Sequence, residues 1–318
     1  MNRSATLAGV TRRSRATALA GSAVAALAAP QIAAAHVATV PASRVGDDWH
    51  APPAVLAMAA LGTVLFVQAF VRLRRRGRTD HAGWDRPALF AAGLALAVLP
   101  LLSPLDAAGD HYLLSAHMLQ HVLIGDAAPL LLVLAVRGPL AFFLLPPSVL
   151  RPLASFDPLR GVLRTLLRPG VSFGFWVAVM LGWHVPAAYD YTLSHPVVHD
   201  LEHATFVLVG TLVWMQLIDP ARRGRLSRGG RIAFAFALFV LGQPIMDSLL
   251  FAPSAVYHSY TAQPDRLLGL GVMTDQRLAG AVMLVEQLLT LGTFIGLLLW
   301  PLLRGRRPAR AVAVQRSA

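Results

Sequence analysis

Long, uninterrupted apolar runs alternate with short arginine-bearing segments along this chain. Runs near 53–71, 87–105, 113–136, 171–189, 198–218, 232–252 and 278–302 are each close to the ~20 residues that carry a helix across a ~30 Å hydrocarbon core. Their apolar positions are continuous rather than alternating, which argues against the in–out pattern of a membrane barrel. In lipid, backbone polar groups are satisfied only within helices or closed barrels. The pattern therefore predicts an all-α fold: a polytopic membrane helical bundle of about seven transmembrane helices over 53–303. The apolar stretch 139–147 is too short to cross and is expected to lie at the membrane interface.

Arginine placement sets the expected orientation. The segments 72–86, 137–170, 219–231 and the tail after 303 hold 6, 5, 5 and 5 arginines. The segments 106–112 and 190–197 hold none, and 253–277 holds only Arg266 and Arg277. Positively charged loops stay inside, so the C-terminal tail 304–318 is expected to be cytoplasmic. Before the first span, Arg12-Arg13-Ser14-Arg15 precedes an alanine-rich apolar run and an A-x-A pattern at Ala33–Ala35. Residues 1–35 read as a signal peptide cleaved after Ala35, followed by a short extracytoplasmic segment 36–52. The competing reading is an uncleaved, alanine-rich first helix.

Composition narrows the function classes. The chain has 318 residues, 56% hydrophobic and 14% charged, with mean hydropathy +0.58. Its net charge of +12 comes entirely from arginine, because lysine is absent. Those arginines flank apolar spans instead of forming a soluble basic face, so no nucleic-acid partner is expected. The bilayer is the expected surrounding, and the cell membrane the expected location. Cysteine is absent too, which removes disulfides, thiolate metal sites and cysteine nucleophiles. No two halves share broken helices, so an inverted-repeat transporter has no support. No nucleophile elbow is present, and no enzyme is expected.

Histidine carries the candidate chemistry. Of 11 histidines, the expected topology leaves only His81 in the cytoplasm. His117 and His121 flank Met118-Leu119-Gln120 in span three, and His199 and His203 flank Asp200-Leu201-Glu202 in span five. Positions i and i+4 share a helix face, so each pair can chelate one metal ion. The second pair lacks the Glu directly after its first His that a zincin needs, which excludes that protease class. Glu202 is a candidate orienter for a ligating imidazole. His184 follows Trp183 at the end of span four and is the fifth candidate at this depth. For His36, His50, His111 and His195, local hydrogen bonding is the better reading. Ionisable groups inside spans are costly and point to function. Imidazole suits zinc, copper, iron and nickel, and thioether favours cuprous copper. Met118 and Met246 lie near that depth, with packing as their better reading. Asp126, Asp247 and Glu286 are carboxylates within spans.

Four segments together resemble the CtaG family of cytochrome c oxidase assembly proteins. They are Ser115-Ala116-His117-Met118-Leu119-Gln120-His121, Trp183-His184-Val185-Pro186, the run from His195 to His203, and Thr274-Asp275-Gln276-Arg277-Leu278-Ala279-Gly280. The resemblance covers roughly 50–303, and Glu286 departs from it. It implies a membrane factor that assembles a haem-copper oxidase at the copper-loading stage, with oxidase subunits as partners. On that reading copper is the cofactor and His117, His121, His184, His199 and His203 its ligands. Two other readings of the histidines stay open: a transmembrane haem-b carrier and a copper-uptake permease.

Overall fold

A computed structural model describes residues 40–261 and 266–304, and among these every regular element is helical. The expected signal peptide with its cleavage point, His36, and the tail beyond Arg304 lie outside the described residues. The long helices are α1 (Pro53–Arg75), α2 (Asp85–Leu102), α4 (Leu114–Ala135), α8 (Pro196–Ile218), α9 (Arg228–Phe251) and α10 (Val272–Pro301). Shorter helices are α3 (Pro104–His111), α5 (Asp157–Leu166), α6 (Pro169–Trp183) and α7 (Pro186–Ser194). Six described helices are long and apolar enough to cross a membrane, and seven when the bent pair α5–α6 counts as one. Exposed apolar side chains such as Leu61, Val64, Phe236, Val240, Leu289 and Leu297 cover the flanks of these helices. That is the surface a bilayer would solvate.

Proline sets many of the boundaries. Pro53, Pro104, Pro169, Pro186 and Pro196 each stand at the start of a helix, where the missing N–H costs nothing and φ is already helical. The expected span 171–189 is therefore corrected: α6 ends at Trp183 and a new helix begins at Pro186. The 15 residues of α6 reach only about 22 Å at 1.5 Å per residue. The expected outer loop 106–112 is largely helix α3. The last span begins at Val272 rather than 278. In the stretch 139–147, Leu140 is fully buried against Phe66, Phe70 and Leu73, and Gln68 Nε2 donates to the Phe143 carbonyl at 3.1 Å.

α4 and α8 run side by side in the same direction. Near their starts His117 and His199 have ring centroids 5.2 Å apart. Past their ends the Gly138 N–H donates to the Pro220 carbonyl at 2.6 Å. Between these points a Cβ built on Gly210 would fall 1.8 Å from the Gly125 carbonyl oxygen, so only glycine permits this approach. Gly125 lies in a π-helical turn, Leu123–Ala127, a feature that re-aims side chains and often marks functional sites. A second such turn, Leu288–Gly292, interrupts α10.

Candidate metal centre

The two histidine pairs face each other across the α4–α8 seam. Ring centroids are 4.2 Å apart within each pair. Across the seam they are 5.2 Å for His117–His199 and 5.1 Å for His121–His203. The two diagonals are both 6.4 Å. One ligand atom from each of the four imidazoles lies within 4.8 Å of all the others. All four residues are buried, His117 completely. Both ring nitrogens of His117 and His121, and Nε2 of His199 and His203, are buried without a well-formed hydrogen bond. Buried polar nitrogens without partners are rare because each carries a desolvation cost. A shared cation would satisfy several at once, and a neutral imidazole set suits zinc, copper or nickel. The residues present therefore fit a metal ion.

Carboxylates surround this cluster. Asp110, on α3, places Oδ1 3.6 Å from His117 Nδ1 and 3.7 Å from His199 Nε2. Burial pushes the Asp110 carboxyl up to about 7, with His50 opposing and Asp200 reinforcing the shift. Asp106, one turn earlier, is also raised, first by burial and then by Asp110. Glu202 is fully buried, and neither of its oxygens makes a well-formed hydrogen bond. A metal cation at the four imidazoles would offset the cost of burying these acidic groups.

Sequence reasoning gave no role to the residues that hold the cluster in place, although Asp275 and Gln276 stand in one of the four segments that carry the resemblance. The Asp275 carboxylate accepts from the N–H of Leu114 at 2.7 Å, from the N–H of Ser115 at 3.1 Å and from the Ser115 hydroxyl at 2.5 Å. It thus caps α4 from another helix, one turn before His117. Gln276 accepts from the Val256 N–H at 2.8 Å and donates to the Leu249 carbonyl at 3.3 Å. Tyr189 lays its ring against His117 at 5.4 Å and shares a hydrogen bond with Tyr260 at 3.1 Å. Tyr260 in turn donates to the Gly109 carbonyl at 2.7 Å. A Cβ on Gly109 would stand 3.0 Å from the His117 backbone, which shows how closely α3 is drawn onto α4. Asp106 and Asp110, spaced i and i+4, were the available signal for α3.

His184 sits apart from the four. Phe206 touches both it and His121, with ring centroids 6.2 Å and 4.9 Å away. Its Nδ1 meets the Met180 carbonyl at 2.7 Å, and the group whose ligand atoms lie within 4.8 Å of one another comprises the other four without it. Among the described residues, His50, His195 and His111 have neighbours of their own. His50 Nε2 lies 3.2 Å from Asp106 Oδ2. His195 Nδ1 meets the Tyr191 carbonyl at 2.9 Å, and His111 packs edge-on against Tyr112. Asp126 accepts from Trp214 Nε1 at 2.5 Å and from Thr290 Oγ1 at 3.0 Å.

Residues 64–305 match the model of a family described as cytochrome c oxidase caa3 assembly factor (Caa3_CtaG). No curated protein matches the chain, and no solved structure does.

Proposed function

The chain belongs to the cytochrome c oxidase caa3 assembly factor family, and from that premise we propose that it is a non-enzymatic copper-holding factor. It binds copper at His117, His121, His199 and His203 and hands it to a maturing oxidase. One observation carries the reading: four buried imidazoles from two helices, with ligand atoms within 4.8 Å of one another. A tetrahedral site with metal–nitrogen bonds of about 2.0 Å needs nitrogens ~3.3 Å apart. The arginine asymmetry supports an extracytoplasmic placement of this end of the bundle in the cell membrane. Copper is the cargo, and oxidase subunits are the recipients.

The test is metal analysis of the detergent-purified chain beside a His117→Ala/His121→Ala variant, with oxidase maturation followed in the membranes of origin. Loss of copper and of oxidase activity at unchanged protein level supports the reading. Retention of both overturns it. A Soret band in the purified protein would support a haem carrier instead, and copper accumulation in whole cells a permease.

A further inference from the structure

We infer that a second, softer cation position lies inward of the four-histidine cluster, formed by His184 Nε2 and the thioethers of Met118, Met180, Met246 and Met283, and that it takes cuprous copper. The inference rests on the copper reading above and adds a site and an oxidation state to it.

These four methionines line one internal cavity of about 60 Å³. They are half of the eight methionines in the chain. They come from four helices, α4, α6, α9 and α10, and converge without being neighbours in sequence. A water-sized occupant needs only ~10–15 Å³, so the space admits an ion. Isolated methionines fill gaps in many cores. Four around one cavity, with imidazoles beside them, form a soft donor set, which thioether chemistry matches to cuprous copper.

His184 adds a ligand in the required form. Its Nδ1 lies 2.7 Å from the Met180 carbonyl, and a carbonyl can only accept. Nδ1 therefore carries the proton, and Nε2 holds the free lone pair that a metal needs. That Nε2 is buried without a hydrogen bond, and His184 lines the cavity. This explains why the residue stands outside the upper cluster: it belongs to a different site. His121 lines the same cavity and is also one of the four clustered histidines. It therefore forms a wall shared by the two positions. Glu286 and Asp126 line the cavity as well. The two carboxyl groups share a hydrogen bond, and the single negative charge of such a pair offsets a monovalent ion in a setting where an unpaired ion is costly.

Silver(I) serves as the redox-silent soft probe, and zinc(II) as the probe for imidazole alone. Both are titrated into the full-length, detergent-purified protein. The wild type is expected to bind silver at both positions. Met246→Leu/Met283→Leu, which keeps volume and apolar character, should lose one silver equivalent and keep zinc binding. His199→Ala/His203→Ala should lose zinc and retain silver in the cavity. Methyl-labelled methionine spectra of the wild type should show four perturbed methyl signals on silver addition, independently of whether any variant folds. If silver stoichiometry survives the double leucine change, or the methionine methyls do not respond, the second site is wrong while the four-histidine reading stands. Zinc binding that is absent from the wild type, or unchanged in His199→Ala/His203→Ala, overturns the four-histidine reading, and with it the foundation of this one.

Discussion

Gly210 meets Gly125 backbone to backbone: a Cβ on the former would lie 1.8 Å from the carbonyl oxygen of the latter. This contact sets the separation of α4 and α8, and hence the distance between the two histidine pairs. Gly210→Ala should spread the helices. An exposed helical Gly→Ala change gains up to ~1 kcal/mol from propensity alone. Here overpacking outweighs it, with a cost of about 1–3 kcal/mol. Gly62→Ala, at a position with nothing within 4 Å, is the control. Thermal unfolding in detergent and metal content should both fall for Gly210→Ala and hold for Gly62→Ala. Equal metal content in the two variants would sink the seam argument.

Asp275 supplies a cap that the histidine helix cannot make for itself. Its carboxylate receives two backbone N–H groups and one hydroxyl at the start of α4. Asp275→Ala leaves both N–H groups buried without an acceptor, at a cost on the order of 2 kcal/mol or more. The His117 end of α4 should then fray. Hydrogen exchange localised to 114–117 checks this, and unchanged protection there would refute it.

Much of the bundle was legible because apolar length and proline boundaries agree. α1, α4, α8 and α9 lie close to their expected positions. What hydropathy misread has a common cause. Asp275 and Gln276 are polar and read as loop, yet their polar groups are spent on other parts of the chain. The last span therefore starts earlier than its apolar core. The expected bound at 189 overran Pro186 because Ala187, Ala188 and Tyr189 stay apolar, although a proline there is itself the signal that ends a helix.

The site was half legible. The i, i+4 spacing put each histidine pair on one face, and the structure brings the two faces together. Depth alone placed His184 beside them. Depth does not fix lateral position, and the four-imidazole group forms without His184. The spacing of Asp106 and Asp110 puts both on one face of α3, but nothing in the local sequence says which helix that face will press against.

Orientation is checked separately. Reporter fusions at Gly77 and Gly305 should behave as cytoplasmic, because the arginine-rich segments 72–86 and 304–318 resist translocation. Fusions active only outside the cell would reverse the topology and move the histidine end to the cytoplasmic side.

Trp214 reaches Asp126 from the far side of the seam, donating through Nε1 at 2.5 Å. Trp214 is fully buried, and hydrogen bonds to charged groups contribute roughly 1.5–3 kcal/mol. Trp214→Phe should lower stability by at least that range, since it also removes ring volume. Asp126→Ala combined with it should cost less than the sum of the two single changes, because each removes the same bond. Strict additivity in unfolding measurements would show that the contact carries no coupling.

Asp110 gives the sharpest test of how the cluster is tuned. Its Oδ1 stands 3.6 Å from His117 Nδ1 and 3.7 Å from His199 Nε2, so it faces one imidazole of each pair. Those distances are too long for hydrogen bonds, yet close enough for its charge to act on both rings and on an ion between them. Carboxylates that orient ligating imidazoles typically change metal affinity by 10–100-fold when removed. Asp110→Asn preserves shape and hydrogen-bonding size while removing the charge. It should weaken binding by about that factor and leave unfolding temperature without metal unchanged or higher, because burying a neutral amide costs less than burying a carboxylate. Asp157→Asn, at an exposed position in α5, should change neither quantity. Competition against a chelator of known affinity measures the first quantity, and thermal unfolding the second. Equal affinity in Asp110→Asn and the wild type would mean that the four imidazoles act without this carboxylate.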